Sequence, residues 1–352
     1  MASRRPHFQP PAYSAERPGL VRPVRVDPTG EAGPTPRQAR GRAWRSTSRG
    51  LYVPSSVDGD LPQQRVLEAA TVLPDYAAVT GWAAFAWKGA RWFDGFDPRG
   101  EPRPVPLAVL NHQVRTRPGL LICAERLRPD ELYLHDGLRV TDPTRSVAFE
   151  MRYAADVRAA AACLDMAAYS DLVSIAGVAR LAERLNGWTG IGQLRTAVGL
   201  ADENSWSPAE SDMRMTLRLD LGLTGLLCNH PVFDLDGRHL GTPDVIDPEA
   251  GVAWEYDGPL HLEGRQRAKD LRREAVFRRV GLEYVTMVGA DRVDPGAFLQ
   301  RSVDARRRAQ RLPGPRQWTV EPPSWWTPTT TVAQRLALTD AQRQRFLRNR
   351  AA

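Results

Sequence analysis

Cysteine is scarce in this chain: only Cys123, Cys163 and Cys228 occur, far apart and without a CxxC pair. That spacing argues against a zinc site or a disulfide framework. The apolar neighbours Leu121-Ile122 and Leu226-Leu227 mark the thiols as buried and reduced. No apolar run reaches the roughly 20 residues of a membrane-spanning helix. The first 19 residues, rich in Pro and Arg, hold no apolar segment of a signal peptide, so a cytoplasmic protein without membrane contact is expected. Internal repeats are absent, and lysine is rare beside arginine among the 48 basic residues.

The 352 residues are enough for two modest domains, each with its own core. Hydrophobic content of 42% and charged content of 25% are near globular averages. A formal net charge of +7 favours a polyanionic partner, although a genomic preference for Arg codons gives the same bias.

Periodicity divides the chain further. Residues 1–34 scatter Pro, Arg and Gly without apolar rhythm and read as a disordered basic arm. A short helix at 36–40 followed by a basic strand and turn at 43–53 outlines a winged-helix-like remnant over 35–56. Helices are expected at 63–73 and 75–87, with Trp82, Phe85 and Trp87 as core rather than a base-stacking platform. Strands are expected at 105–110, 119–123 and 132–134. Helices follow at 143–151, with Thr141 or Asp142 as N-cap and Pro143 in its first position, then at 156–168, 175–185 and 193–198. These make a mostly helical α+β domain over 57–201. A second α/β domain spans 205–311. Residues 312–352 read as a Pro/Trp linker and one amphipathic terminal helix over 332–348.

The chemistry concentrates in residues 240–258, two apolar-acidic runs around the turn Pro248-Glu249-Ala250-Gly251. A four-residue hairpin loop there pairs Asp247 with Val252 and Ile246 with Ala253, and sets Asp244 opposite Glu255. Strand alternation puts Asp257 on the same face and Val245, Trp254 and Tyr256 on the other. Gathered carboxylates repel one another unless a hard cation such as Mg²⁺ or Mn²⁺ neutralises them, and that ion would also polarise a phosphodiester and acidify a bound water. A solvent-facing hairpin with ordinary surface acids is the plainer alternative. His261, with an unperturbed pKa near ~6.5, is a candidate base or water holder, although lone histidines are more often structural.

Upstream, Ser207 and Pro208 open a helix whose first turn holds Glu210. Glu210 either reaches the metal cluster or compensates the helix dipole, and the two readings weigh equally. Downstream, residues 264–280 form a basic helix. Arg265, Lys269, Arg272 and Arg273 are its candidate phosphate contacts, with Arg265 and Lys269 preferred because others pair with Asp270 and Glu274. A strand at 282–288 completes the order helix, hairpin, helix, strand, that of an α/β nuclease core with a mixed sheet.

Two resemblances sharpen these expectations. Residues 49–53, the run Gly137-Leu138-Arg139-Val140-Thr141-Asp142-Pro143-Thr144-Arg145 and the helix holding Asp165 resemble the AbiEi-type antitoxins of bacterial type IV toxin–antitoxin systems. That likeness implies an N-terminal winged helix on operator DNA, here truncated or atypical, and a cognate toxin as partner. Glu210-Ser211, Pro243-Asp244, Glu255-Tyr256-Asp257-Gly258, His261 and Lys269-Asp270-Leu271-Arg272-Arg273 resemble the Vsr-like branch of the PD-(D/E)XK nucleases. This second likeness implies a restriction-endonuclease-like fold and Mg²⁺-dependent DNA cleavage with Asp244 and Glu255 at the metal. The third motif position, usually Lys in the wider class, is Asp257 here, and Vsr-like relatives use histidine instead. The expected function is therefore a metal-dependent DNA endonuclease linked to toxin–antitoxin or phage-defence systems. A non-catalytic AbiEi-type regulator that binds DNA is the alternative, and RNA stays open as a substrate.

Overall fold

The computed structural model describes residues 17–74, 76–109, 114, 117–258 and 264–350, with the side chains of 264–271 and 349 outside that set. The chain is mixed α/β and divides into two compact units, residues 1–150 and 151–352.

In the first unit, strands β1 (Val24–Arg25), β2 (Trp44–Ser48) and β3 (Leu51–Pro54) form an antiparallel sheet in the order β1-β3-β2. Part of the expected disordered arm is thus built into the fold. β1 pairs with the hairpin edge, and Gln64 holds both the N–H (2.9 Å) and the carbonyl (2.8 Å) of Val21. Residues 1–16 lie outside the described residues. The short helix before the hairpin is a single 3-10 turn, Gln38–Arg40.

Next come α1 (Pro62–Ala70), β4 (Ala78–Val79), α2 (Gly81–Trp87), β5 (Val105–Ala108), β6 (Leu120–Cys123), β7 (Leu132–His135), β8 (Leu138–Thr141) and α3 (Pro143–Arg152). The five strands order as β6-β5-β4-β8-β7, with parallel and antiparallel pairs mixed. The helix expected over 75–87 starts only at Gly81. Ala78–Val79 pairs into the sheet, and Gly81 at φ +57 makes the reversal, where a β-carbon would lie 2.3 Å from the Glu150 carboxylate. Trp82, Phe85 and Trp87 are fully buried, in line with the core reading.

The second unit opens with α4 (Val157–Tyr169), α5 (Ile175–Arg184) and α6 (Ile191–Val198), helices that the sequence had grouped with the N-terminal domain. A buried ion pair draws them across. Asp165 of α4 binds Arg214 of α7 (Pro208–Leu219) and accepts from Ser211 Oγ (2.6 Å) and the Asp202 N–H (2.7 Å). A lone carboxylate at that depth would be strongly destabilising, so the partners fix α4 against α7.

The rest of this unit holds β9 (Leu227–Cys228), β10 (Val232–Asp234), β11 (His239–Gly241), β12 (Val245–Asp247), β13 (Val252–Asp257), α8 (Gly264–Arg279), β14 (Glu283–Val288), α9 (Gly296–Ala309), β15 (Trp318–Thr319), α10 (Val332–Leu336) and α11 (Asp340–Phe346). The sheet β14-β13-β12-β9 is antiparallel except that β13 and β14 run parallel. Alternation along β13 feeds two cores. Val252 and Trp254 pack with Met213 and Leu217 of α7 and Phe298 and Ala305 of α9, while Ala253 packs with Ile246, Tyr284 and Phe277 of α8. Burial of each such large apolar side chain contributes about 1.5–3 kcal/mol, so both layers are fixed to the hairpin.

The expected linker at 312–330 contains β15, which pairs with β10 in the sheet β11-β10-β15. The expected single terminal helix is broken into α10 and α11, because Thr331 and Thr339 each cap a new N-terminus. Among the described residues no helix is long and apolar enough to cross a membrane.

Candidate functional site

The hairpin carries the register that its sequence dictates: Asp247 pairs with Val252, Ile246 with Ala253 and Val245 with Trp254. Asp247 shapes the turn by accepting from the N–H groups of Glu249 (3.0 Å) and Ala250 (2.8 Å), and Gly251 supplies the positive φ of +76. The paired register ends there, with Asp244 at the bend one residue before β12 and Glu255 one residue past Trp254. Asp244 Oδ2 accepts from the Tyr256 N–H at 2.7 Å, which pins its carboxylate against β13.

Glu210 enters from α7. Ser207 caps the helix by accepting from the Glu210 N–H at 3.2 Å, and Glu210 Oε2 accepts from the Trp206 N–H (2.8 Å) and Asn229 Nδ2 (2.6 Å). Its proton affinity is raised. Burial, and then the nearby charge of Asp244, push its pKa up to about 8 from an ordinary 4.5, against the hydrogen bond from Asn229. Two carboxyls therefore share one poorly solvated corner.

Glu255 is buried at 6% exposure, and its Oε2 lies 3.0 Å from Arg273 Nη2. Arg273, expected among the phosphate contacts, is thus turned inward to an acid. Asp257 lies two residues along β13 at its exposed end, and Arg272 is exposed on α8. His261 lies outside the described residues, as do the side chains of Arg265 and Lys269. Among the described residues no group of three or more His, Cys, Asp or Glu is gathered closely enough to hold a metal ion. Asp244 lies at the bend just before β12, Glu255 lies within β13 and Asp257 ends it, and Glu210 on α7 feels the charge of Asp244.

Sequence reasoning missed Asn229 and Asn204. Asn229 adopts a left-handed φ of +42, sends Nδ2 to the Asn204 carbonyl (2.8 Å) as well as to Glu210, and sends its N–H to the Asp244 carbonyl (2.9 Å). Asn204 Nδ2 returns hydrogen bonds to the carbonyls of Cys228 (2.7 Å) and Asn229 (3.0 Å). The signal that was available is an Asn before His230-Pro231, since Asn tolerates left-handed backbone better than most residues.

Comparison with family models, with characterised proteins and with solved structures finds no match. What the site can do therefore rests on its donor set. The side chains of Asp244, Glu210 and Glu255 offer hard oxygens alone, which suits Mg²⁺ or Mn²⁺ rather than zinc. They fit such an ion in kind, while Arg273 already balances the charge of Glu255.

Proposed function

We propose that this protein is a metal-dependent endonuclease that hydrolyses phosphodiester bonds in DNA. What supports this reading is the hairpin register, whose continuation by one step beyond Val245 and Trp254 would face Asp244 with Glu255, and the charge of Asp244 felt at buried Glu210. In this reading Asp244 and Glu255 hold a divalent ion, Asp257 completes the set or orients the attacking water, and His261 accepts the proton. Glu210 holds a proton while the corner lacks positive charge and releases it as charge enters. The bound Mg²⁺ supplies neutralisation of the acids and polarisation of the phosphodiester. Arg265, Lys269 and Arg272 of α8 contact flanking phosphates, which makes affinity salt-dependent. The restriction-endonuclease-like arrangement of residues 205–311, the AbiEi-like character of residues 57–201, a cognate toxin and a phage-defence setting belong to the same reading.

Plasmid nicking with Mg²⁺ or EDTA, wild type beside Asp244→Ala, tests it. Cleavage is expected in wild type with Mg²⁺ alone. One observation favours a second reading, a non-catalytic AbiEi-type regulator that grips DNA: Glu255 is already paired with Arg273. Metal-independent binding without cleavage, equal in both proteins, would establish that alternative.

A further inference from the structure

The second unit exposes an aromatic ledge outside the acidic site. Trp325 and Trp326 follow Pro322-Pro323, and the Trp326 N–H closes a turn on the Pro323 carbonyl at 2.9 Å. The Trp326 ring stands 5.0 Å from the His239 ring and meets the buried Phe233 ring edge-on at 5.0 Å. Trp325 meets Phe233 at 6.2 Å and Trp326 at 5.7 Å, yet remains 62% exposed, and Leu235 on the adjoining hairpin is 64% exposed. A large ring held in place by edge contacts while its surface stays in water is preorganised for an external partner.

The ledge's position says what that partner is. His239 Nε2 lies 3.1 Å from Thr242 Oγ1, two residues before Asp244. Gly241, at the end of β11, is packed so closely on α8 that a β-carbon would meet Phe277 at 2.9 Å and Arg273 at 3.3 Å. The strand that carries His239 thus packs on α8, which exposes Arg272 and Arg279 and an Arg278 paired with Glu274, and Arg238 adds a cation in the ledge's own hairpin, where Asp236 is an exposed acid. Flat π-faces beside a basic helix suit a nucleic-acid strand, whose bases stack while its phosphates meet the arginines.

We propose that Trp325, backed by Trp326 and His239, stacks an unpaired base of the nucleic acid that α8 and the acidic hairpin engage. This rests on the nuclease reading for the neighbouring site, so its test is run without catalysis. The full chain in EDTA is titrated into a labelled oligo-dT of about 15 nucleotides and into a blunt duplex, with fluorescence anisotropy as readout. Trp325→Ala is expected to weaken single-strand binding roughly 5- to 100-fold, with the duplex little changed and Trp325→Phe near wild type. Unchanged single-strand affinity in Trp325→Ala, equal losses on single strand and duplex, or no binding of either probe by wild type would overturn the proposal. The first of these would leave the ledge to a protein partner. Failure of Mg²⁺-dependent nicking alongside a selective Trp325→Ala defect would remove the nuclease reading and leave the stacking site standing.

Discussion

Glu210 and Asn229 set the energetics of the acidic corner at the scale of single residues. With a folded pKa of about 8 against an ordinary 4.5, Glu210 binds more protons in the folded than in the unfolded chain across that window. Its contribution to stability is therefore fully present below about 4.5 and is lost as pH rises through about 8. Glu210→Gln keeps an oxygen for the Trp206 N–H and cannot ionise. In chelator, the melting temperature of wild type should fall more steeply across the same window than that of the variant. Asn229→Ala removes donors to Glu210 and to the Asn204 carbonyl and puts alanine at φ +42, so a loss of about 1–3 kcal/mol is expected in urea unfolding. Sequence put Glu210 near the acidic cluster as one of two readings, but its raised proton affinity and the role of Asn229 were not legible there. Asn229 gains its meaning only when the loops around Asn204, Glu210 and Asp244 meet in space, and no local spacing encodes that meeting.

Hairpin and helix starts, by contrast, were readable as elements because short-range chemistry decides them. Turn residues Asp247 to Gly251 fix the register of β12 on β13. Ser207-Pro208 fixes the start of α7, and Ser207→Ala should cost about 1 kcal/mol by thermal unfolding. Gly241 was not singled out, although β11 can lie on α8 only without a side chain there. Gly241→Ala would drive a methyl into Phe277, and a destabilisation of about 1–3 kcal/mol is expected, measured the same way. The helix expected over 75–87 shows the opposite failure. Its apolar spacing suits a helix, but Ala78 and Val79 obtain β partners from residues far along the chain, and Gly81 makes the break.

The whole molecule holds two units whose boundary at 150/151 lies fifty residues before the break suggested by sequence. Within the second unit the Asp165–Arg214 pair joins α4 to α7, a long-range contact that periodicity cannot reveal. On the proposed nuclease reading, contacts of α8 cations with phosphates predict that DNA affinity falls linearly on a logarithmic salt scale, as checked by anisotropy over increasing salt. The most direct measurement concerns the ion itself. Full-length protein stripped of metal is titrated with Mn²⁺ in a calorimeter, wild type beside Asp244→Ala. A saturable heat in wild type, accompanied by proton release at neutral pH as Glu210 ionises, and absent from the variant, is the expected result. No saturable heat in wild type, or the same heat in both proteins, would contradict a divalent-cation site on this hairpin.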